Sequence, residues 1–313
     1  MELELGPLRF GIVGVGRLGL TVGRALQQQG FELVHVAATS AEGRERATRV
    51  LGVPSHDDPV AASQQVDCLL LCVPDDALSS VVARLAGRPD GSSPIRLRIV
   101  STSALGGIDA LAPLAAAGHD VGVLHPVASV SDHETGPDAL AGAGAAIGAA
   151  DEPTRTFLHA LAHALELRAF DLGTDPTTWA LHAACCTLAA NGPAVLLAAV
   201  DDLAAEASLH EGVARGAYGR LAAAAVERSV RSGPIASLAG PIMRGDAAAV
   251  AAQVAAVRAS GSQADALFIP IVATAANQAF TAGRLDMDGH RAVLEAILDP
   301  SQFTTGPPAQ EQP

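Results

Sequence analysis

Three glycines spaced as GxGxxG, Gly14, Gly16 and Gly19 in GVGRLG, close one apolar run and open a helix-like one. That arrangement suits a pyrophosphate. One glycine permits a tight turn, another lets the backbone approach the anion, and the helix N-terminal amides around Arg17 and Leu18 face it. Arg17 is also a phosphate candidate in its own right. A free ribose 2'-hydroxyl calls for a carboxylate after the second apolar run, yet FELVHVAAT is followed by SAEGRER. Thr39 and Ser40 offer hydroxyls there, and Arg44 and Arg46 offer cations suited to a 2'-phosphate, so NADP(H) is preferred over NAD, with Glu42 as the counter-argument. Val73 and Pro74, closing the run VDCLLLCVP, complete the cofactor candidates.

A nicotinamide reduction of a ketone or imine needs a proton or hydrogen-bond donor at the developing oxyanion or amine. Lysine cannot supply it, because all 20 basic residues are arginine. The absence also excludes Schiff-base and P-loop chemistry. The first candidate is His125, which follows an apolar run and is biased towards extended geometry by Pro126. Ser103, with Thr102, ends another run, RLRIVSTS, and offers a hydroxyl, or an ordinary helix cap. Asn191 could orient substrate through its amide. His182 lies nine residues before Asn191, about 900° around a straight helix, so the two face opposite ways; it is a substrate-binding candidate or a helix-face or dimer-interface residue. Arg244 in GPIMRGD could grip a substrate carboxylate, or form an intersubunit salt bridge, while Asp246 is placed to cap the helix that follows. Asp75, Asp76, Asp132 and His133 read as turn residues. No metal is expected, because no His/Cys/Asp set shows ligand spacing.

The elements that must position these groups fall into two halves. Up to Gly173 short apolar runs alternate with helix-like segments, predicting an α/β Rossmann domain on a mostly parallel, doubly wound sheet, residues 1–173. From 174 the pattern changes to long Ala- and Leu-rich segments (176–208, 212–231, 246–259, 262–283, 287–298), predicting an all-α domain over 174–298. The tail, 299–313, has little to pack and is expected to be disordered.

With 49% hydrophobic and 17% charged residues the chain can bury a large core. A net charge of -13 repels a phosphate backbone, so nucleic acid is not an expected partner. Residues 177–200 are apolar enough to span a bilayer, but Asn191, Gly192-Pro193 and acidic flanks favour a core helix instead. Cys68, Cys72, Cys185 and Cys186 sit in apolar runs without paired CxxC spacing, which points to a reduced, cytoplasmic protein.

Taken in order, GIVGVGRLG, CVPDDAL, STSALGGIDALAPLAAAG, LHPVASVSD, HAACCTLAAN and GPIMRGD resemble the Rossmann-like proteins with a DUF2520 helical domain, over about residues 8–298. These are relatives of the 6-phosphogluconate dehydrogenase, ketopantoate reductase and pyrroline-5-carboxylate reductase group. The resemblance implies a nicotinamide-binding reductase fold, substrate between the domains, and a homodimer through the helical one. It also exposes departures. Asn191 matches the superfamily asparagine, but the catalytic lysine four residues before it corresponds to Thr187, and the usual Thr-Ser-Gly reads Thr102-Ser103-Ala104. The expectation is therefore an NADP-dependent reductase of a small carboxylated keto or imino compound, 2-ketopantoate-like acids first, whose proton donor has moved from the helix to the sheet. The alternatives are a non-catalytic NADP(H)-binding sensor or assembly protein, and a deazaflavin-linked NADP reductase.

Overall fold

The computed structural model describes residues 5–87, 96–130 and 136–303. Asp132, His133 and the tail from 304 lie outside the described residues. The chain divides into two compact units, up to Leu188 and from Ala189 onward.

The first unit holds one sheet of β1 (Arg9–Val13), β2 (Glu32–Ala37), β3 (Ser55–His56), β4 (Cys68–Leu71), β5 (Arg98–Ser101), β6 (Asp120–Val127), β7 (Gly144–Ala149) and β8 (Arg168–Asp171). Their spatial order is β3-β2-β1-β4-β5-β6-β7-β8. Neighbours run parallel except β6 and β7, which pair antiparallel. Successive side chains of a strand point to opposite faces, and the core follows that rule. Ile12, Leu70, Val100 and Leu124 pack on one face with α1 (Arg17–Gln28), α2 (Ala41–Leu51) and a later helix, Glu152–Ala164. Val13, Leu71, Ile99 and Val123 pack on the other face with α3 (Pro59–Ala62), α4 (Asp75–Ala86) and α5 (Ala112–Ala116). The helix at Glu152–Ala164 is α6, whose N-terminus Asp151 caps by accepting a 2.7 Å hydrogen bond from the Thr154 amide.

Three elements of this unit have no counterpart in the sequence reading: β3, α3 and α5, too short to show a period. The apolar run DVGVLHPV, 120–127, is β6 over its whole length. His125 and Pro126 therefore do not follow a strand; they lie within β6, paired with Ala146 and Ala145 of β7. Proline is tolerated there only because the local pairing does not need its missing N–H.

α7 (Pro176–Glu206) runs uninterrupted through Pro193. Its first turns belong to the first unit: Trp179 is wholly buried among Val123, Ala146 and Leu114. Further along, the core-helix expectation fails, for Leu181, Leu188 and Val195 are 63%, 73% and 55% exposed. The helix is apolar all round, so whichever side the chain covers, apolar surface remains on the others. By length and composition it could cross a membrane.

The second unit contains α8 (Glu211–Ser232), α9 (Pro234–Ser237), α10 (Ala247–Ser260), α11 (Asp265–Thr281) and α12 (Met287–Leu298). Val250 and Val254 of α10, Val272 and Ala276 of α11, and Val293 and Ile297 of α12 form its core. Asp246 caps α10 as expected, accepting from the Ala249 amide at 3.1 Å.

Candidate active site

All the strands from β1 to β6 except the short β3 edge carry chemistry at one end. Because β2, β1, β4, β5 and β6 are mutually parallel, the segments leaving their carboxyl ends lie along one edge of the sheet. In order these are Thr39-Ser40 after β2, Gly14 to Gly16 after β1, Val73-Pro74 after β4, Thr102-Ser103 after β5, and His125 near the end of β6. The strand order reverses between β1 and β4, and it is at such a reversal that α/β sheets open a crevice for ligands.

A cleft of about 300 Å³ opens there. Gly14, Gly16, Thr39, Ser40, Val73 and Pro74 of the sequence candidates line it. Gly14 has φ +95°, and a Cβ on it would stand 2.4 Å from the Cys72 carbonyl oxygen. Gly19 packs against the loop itself, since a Cβ there would stand 1.9 Å from the Gly14 oxygen. Only glycine permits α1 to start so close to the β1 loop, which leaves the first-turn amides facing the cleft.

The cations are distributed differently from the sequence expectation. Arg44 turns its guanidinium back onto the carbonyls of Ala38 and Thr39, donating at 2.9 Å to each. It caps the end of β2 instead of lining the cleft. Arg46 lines the cleft, together with Arg84 and Asp57. On a helix, residues two apart point in well-separated directions, so only one of Arg44 and Arg46 could face the ligand. Ser40 both lines the cleft and caps α2, accepting from the Gly43 amide at 3.0 Å. Arg17 and Leu18 are not among the lining side chains; their contribution is backbone.

Further along the edge, the hydroxyls after β5 are engaged. Thr102 donates to the Leu71 carbonyl at 3.2 Å. Ser103 does not cap a helix: its hydroxyl bonds the carboxylate of Asp75, with the Leu105 carbonyl at 3.2 Å. Asp75 is thus the first residue of α4 and a partner of Ser103, not simply a turn residue.

His125 shares the face of Val123 and meets α7. Its Nδ1 lies 3.0 Å from Nε2 of His182, the rings standing nearly perpendicular. His182 also touches the edge of Trp179, ring centres 5.8 Å apart, and its Nε2 lies 3.7 Å from Sγ of Cys186. The two histidines, expected to act separately, form one unit. Cys186 was missed, yet the signal existed: His182 and Cys186 stand four apart in a helix, on the same face.

Burial, and then the proximity of His182, push the His125 imidazole down to about 4, against a smaller upward pull from Asp75. Burial lowers His182 as well. Both rings are neutral at pH 7, so a proton held by one can set the tautomer of the other: if His182 donates, His125 accepts at Nδ1 and keeps its proton on Nε2. The unfolded chain binds a proton at about 6.5 and the folded one more weakly, so this pair's stability is whole above about pH 6.5 and is lost as pH falls towards 4. Urea unfolding from pH 7 to 4 is expected to show a steeper decline for the wild type than for His125→Gln; equal slopes would contradict the assignment.

Asn191 and Arg244 belong to the second unit. Asn191 is exposed on α7, and Arg244 is exposed in the turn before α10.

This is a Rossmann-like α/β unit followed by a helical one, and the family comparison agrees: the Rossmann-like domain profile matches residues 2–126, and that of the domain of unknown function DUF2520 matches 144–274. The chain is a two-domain Rossmann-like/DUF2520 protein. No curated protein sequence matches it. Among solved structures, it is similar to protein TM1727 from Thermotoga maritima, at 17% identity over 86% of this chain and 99% of that one, TM-score 0.66. A reductive aminase from Aspergillus terreus, solved with NADPH and ethyl-5-oxohexanoate, is 16% identical over 92% and 99%, TM-score 0.65. A pyrroline-5-carboxylate reductase from Coxiella burnetii is 12% identical over 96% and 100%, TM-score 0.54. At these identities the likeness is one of fold.

Proposed function

We propose that the protein is an NADP(H)-dependent oxidoreductase reducing a small carboxylated keto or imino compound, with 2-ketopantoate-like 2-keto acids as the first class to try. The observation that carries it is the cleft at the β1/β4 reversal, glycine-walled at Gly14 and bordered on its β2 side by Ser40 and Arg46. Arg46 and Arg84 line it with Asp57; Arg84 is held by Asp58 at 3.0 Å, whereas Arg46, among the described residues, meets only the exposed Glu42 at 3.6 Å, so Arg46 is the cation best placed to turn to a ribose phosphate. Fold relatives solved with NADPH, and one that is a pyrroline-5-carboxylate reductase, support the same cofactor and the same reaction class.

NADPH supplies the hydride when bound. The chain supplies the rest. Gly14, Gly16 and the α1 amides hold the pyrophosphate; Thr39, Ser40 and Arg46 hold the ribose phosphate; Val73 and Pro74 pack beside it. His125, neutral and oriented by His182, donates a hydrogen bond from an imidazole N–H to the developing oxyanion or amine. Ser103, whose one hydroxyl proton is held by the Asp75 carboxylate, offers its oxygen as an acceptor along the same edge. The exposed apolar residues Leu188, Val195, Leu221 and Val230 of α7 and α8 support a homodimer through the helical domain.

Calorimetric titration tests the cofactor: micromolar NADPH binding with far weaker NADH binding is expected. Arg46→Ala should weaken NADPH by about 10- to 100-fold, the worth of a charge-assisted hydrogen bond, and leave NADH unchanged. Arg44→Ala should not discriminate the two. A keto-acid and imine screen at saturating NADPH then tests the reaction. Binding without oxidation of NADPH across the screen would replace the reductase with a nucleotide-responsive binding protein.

A further inference from the structure

We propose that His125, His182 and Cys186 form a three-ligand site for a zinc-class divalent metal ion. The site is distinct from the nucleotide cleft, whose lining contains none of these residues, and the inference stands on the geometry of the three side chains alone.

One donor atom from each residue lies within 4.8 Å of the other two. His125 Nδ1 and His182 Nε2 are 3.0 Å apart, and Cys186 Sγ is 3.7 Å from the same His182 nitrogen. A tetrahedral ion with bonds of about 2.0 Å to nitrogen and about 2.3 Å to sulfur needs donors about 3.3–3.6 Å apart. These two separations bracket that range and the third lies within 4.8 Å, so side-chain shifts of about an ångström bring the set around one ion. Two neutral imidazoles and a thiolate are a donor set of intermediate softness, suited to zinc and unsuited to magnesium or calcium; the ion takes the place of the proton shared by His125 Nδ1 and His182 Nε2 and of the Cys186 thiol proton, both released on binding.

The supports are rigid. His182 and Cys186 project from adjacent turns of α7, and His125 is held in β6 opposite Ala146 of β7. Trp179 and Phe170 stand against the His182 ring, with centres 5.8 and 6.0 Å away. Neighbours of this kind fix the orientation of ligand side chains. The three ligands are only partly buried, so an ion can reach them. Three protein ligands leave a fourth position for water or a carbonyl oxygen, the arrangement of catalytic rather than structural zinc. Cys185, next in sequence, is exposed and is not one of the three.

The full-length protein, stripped with a chelator and dialysed, is titrated with Co²⁺ as an optical probe. One equivalent is expected to give a thiolate-to-cobalt charge-transfer band in the near ultraviolet and the intense visible bands of tetrahedral cobalt, both removed by Zn²⁺. Cys186→Ser should lose the charge-transfer band and bind Zn²⁺ more than about 100-fold more weakly; Cys185→Ser should keep both. Zn²⁺ should raise the melting temperature of the wild type and of Cys185→Ser, but not of Cys186→Ser. Absence of a charge-transfer band at a large excess of Co²⁺, or a band that follows Cys185 instead of Cys186, overturns the site. NADPH titration of the same stripped protein reads the glycine-loop cleft separately, so failure of one assignment is not mistaken for failure of the other.

Discussion

Gly16→Ala and Gly19→Ala are each expected to weaken NADPH binding by on the order of 100-fold, the worth of one or two hydrogen bonds to a charged group, but for different reasons that a second measurement separates. A Cβ at Gly19 would stand 1.9 Å from the Gly14 oxygen, which is backbone and cannot yield without displacing the loop from α1. The free protein is strained along with the complex, so Gly19→Ala should lower the melting temperature as well as the affinity. Gly16 differs. A Cβ there meets nothing within 4 Å, so the free protein tolerates it, and only the approach of a pyrophosphate to the backbone is blocked. Gly16→Ala should therefore keep the melting temperature and lose the affinity. A Gly16→Ala protein that binds NADPH as tightly as the wild type would mean that no anion approaches this loop.

The second large effect is structural. Trp179→Ala is expected to destabilise the first unit by about 3–5 kcal/mol, the usual range for deleting a buried large aromatic. That is a large share of the 5–15 kcal/mol typical of a folded protein. The indole is wholly buried, and its Nε1 donates to the Gly173 carbonyl at 3.0 Å. Its space is reserved by two glycines: a Cβ at Gly107 or Gly148 would stand 2.7 Å from the ring. Trp179→Phe should cost less, keeping most of the apolar contact while losing the hydrogen bond. Because Trp179 is the one tryptophan of the chain, unfolding of the variants is followed by far-ultraviolet circular dichroism. A loss below about 1 kcal/mol for Trp179→Ala would show that the start of α7 is not fastened to the sheet through this residue. The same contact holds His182 in place, so Trp179→Ala should also flatten the pH dependence attributed to the histidine pair.

Much of this was legible before any coordinates. The alternation of short apolar runs with helical segments defined the sheet and its order of elements, because a strand buried on both faces must be apolar throughout. GxGxxG placed the turn from β1 into α1, since few other sequences permit that approach of backbone to backbone. The switch to long Ala-rich segments after Gly173 marked where helices take over, because the period of apolar residues changes, while the compact units divide further on, after Leu188 within α7. The domain pair proved to be the one that the series of short motifs resembled.

Other features required the fold. Which of Arg44 and Arg46 faces the cleft depends on the rotation of α2, and the carbonyls of Ala38 and Thr39 were free to take Arg44 only because β2 ends there. Asp75 and Ser103, 28 residues apart, meet because β4 and β5 are adjacent and end at one edge. His125 was read as lying just beyond a strand and lies within one, since a proline in a strand is a weak signal either way.

The sequence by itself determined the local periods, the turn at the glycine loop, the absence of lysine chemistry and the order of two domains, because each of these rests on neighbours within a few residues. Only the tertiary structure decided that His125 would meet His182 and Cys186 across 57 and 61 positions of chain. That meeting depends on the register of β6, on the placing of Trp179 in the core, and on the face that α7 thereby turns to the sheet. No one of these is written in any single stretch of residues, for a contact between distant groups is set by how whole elements pack.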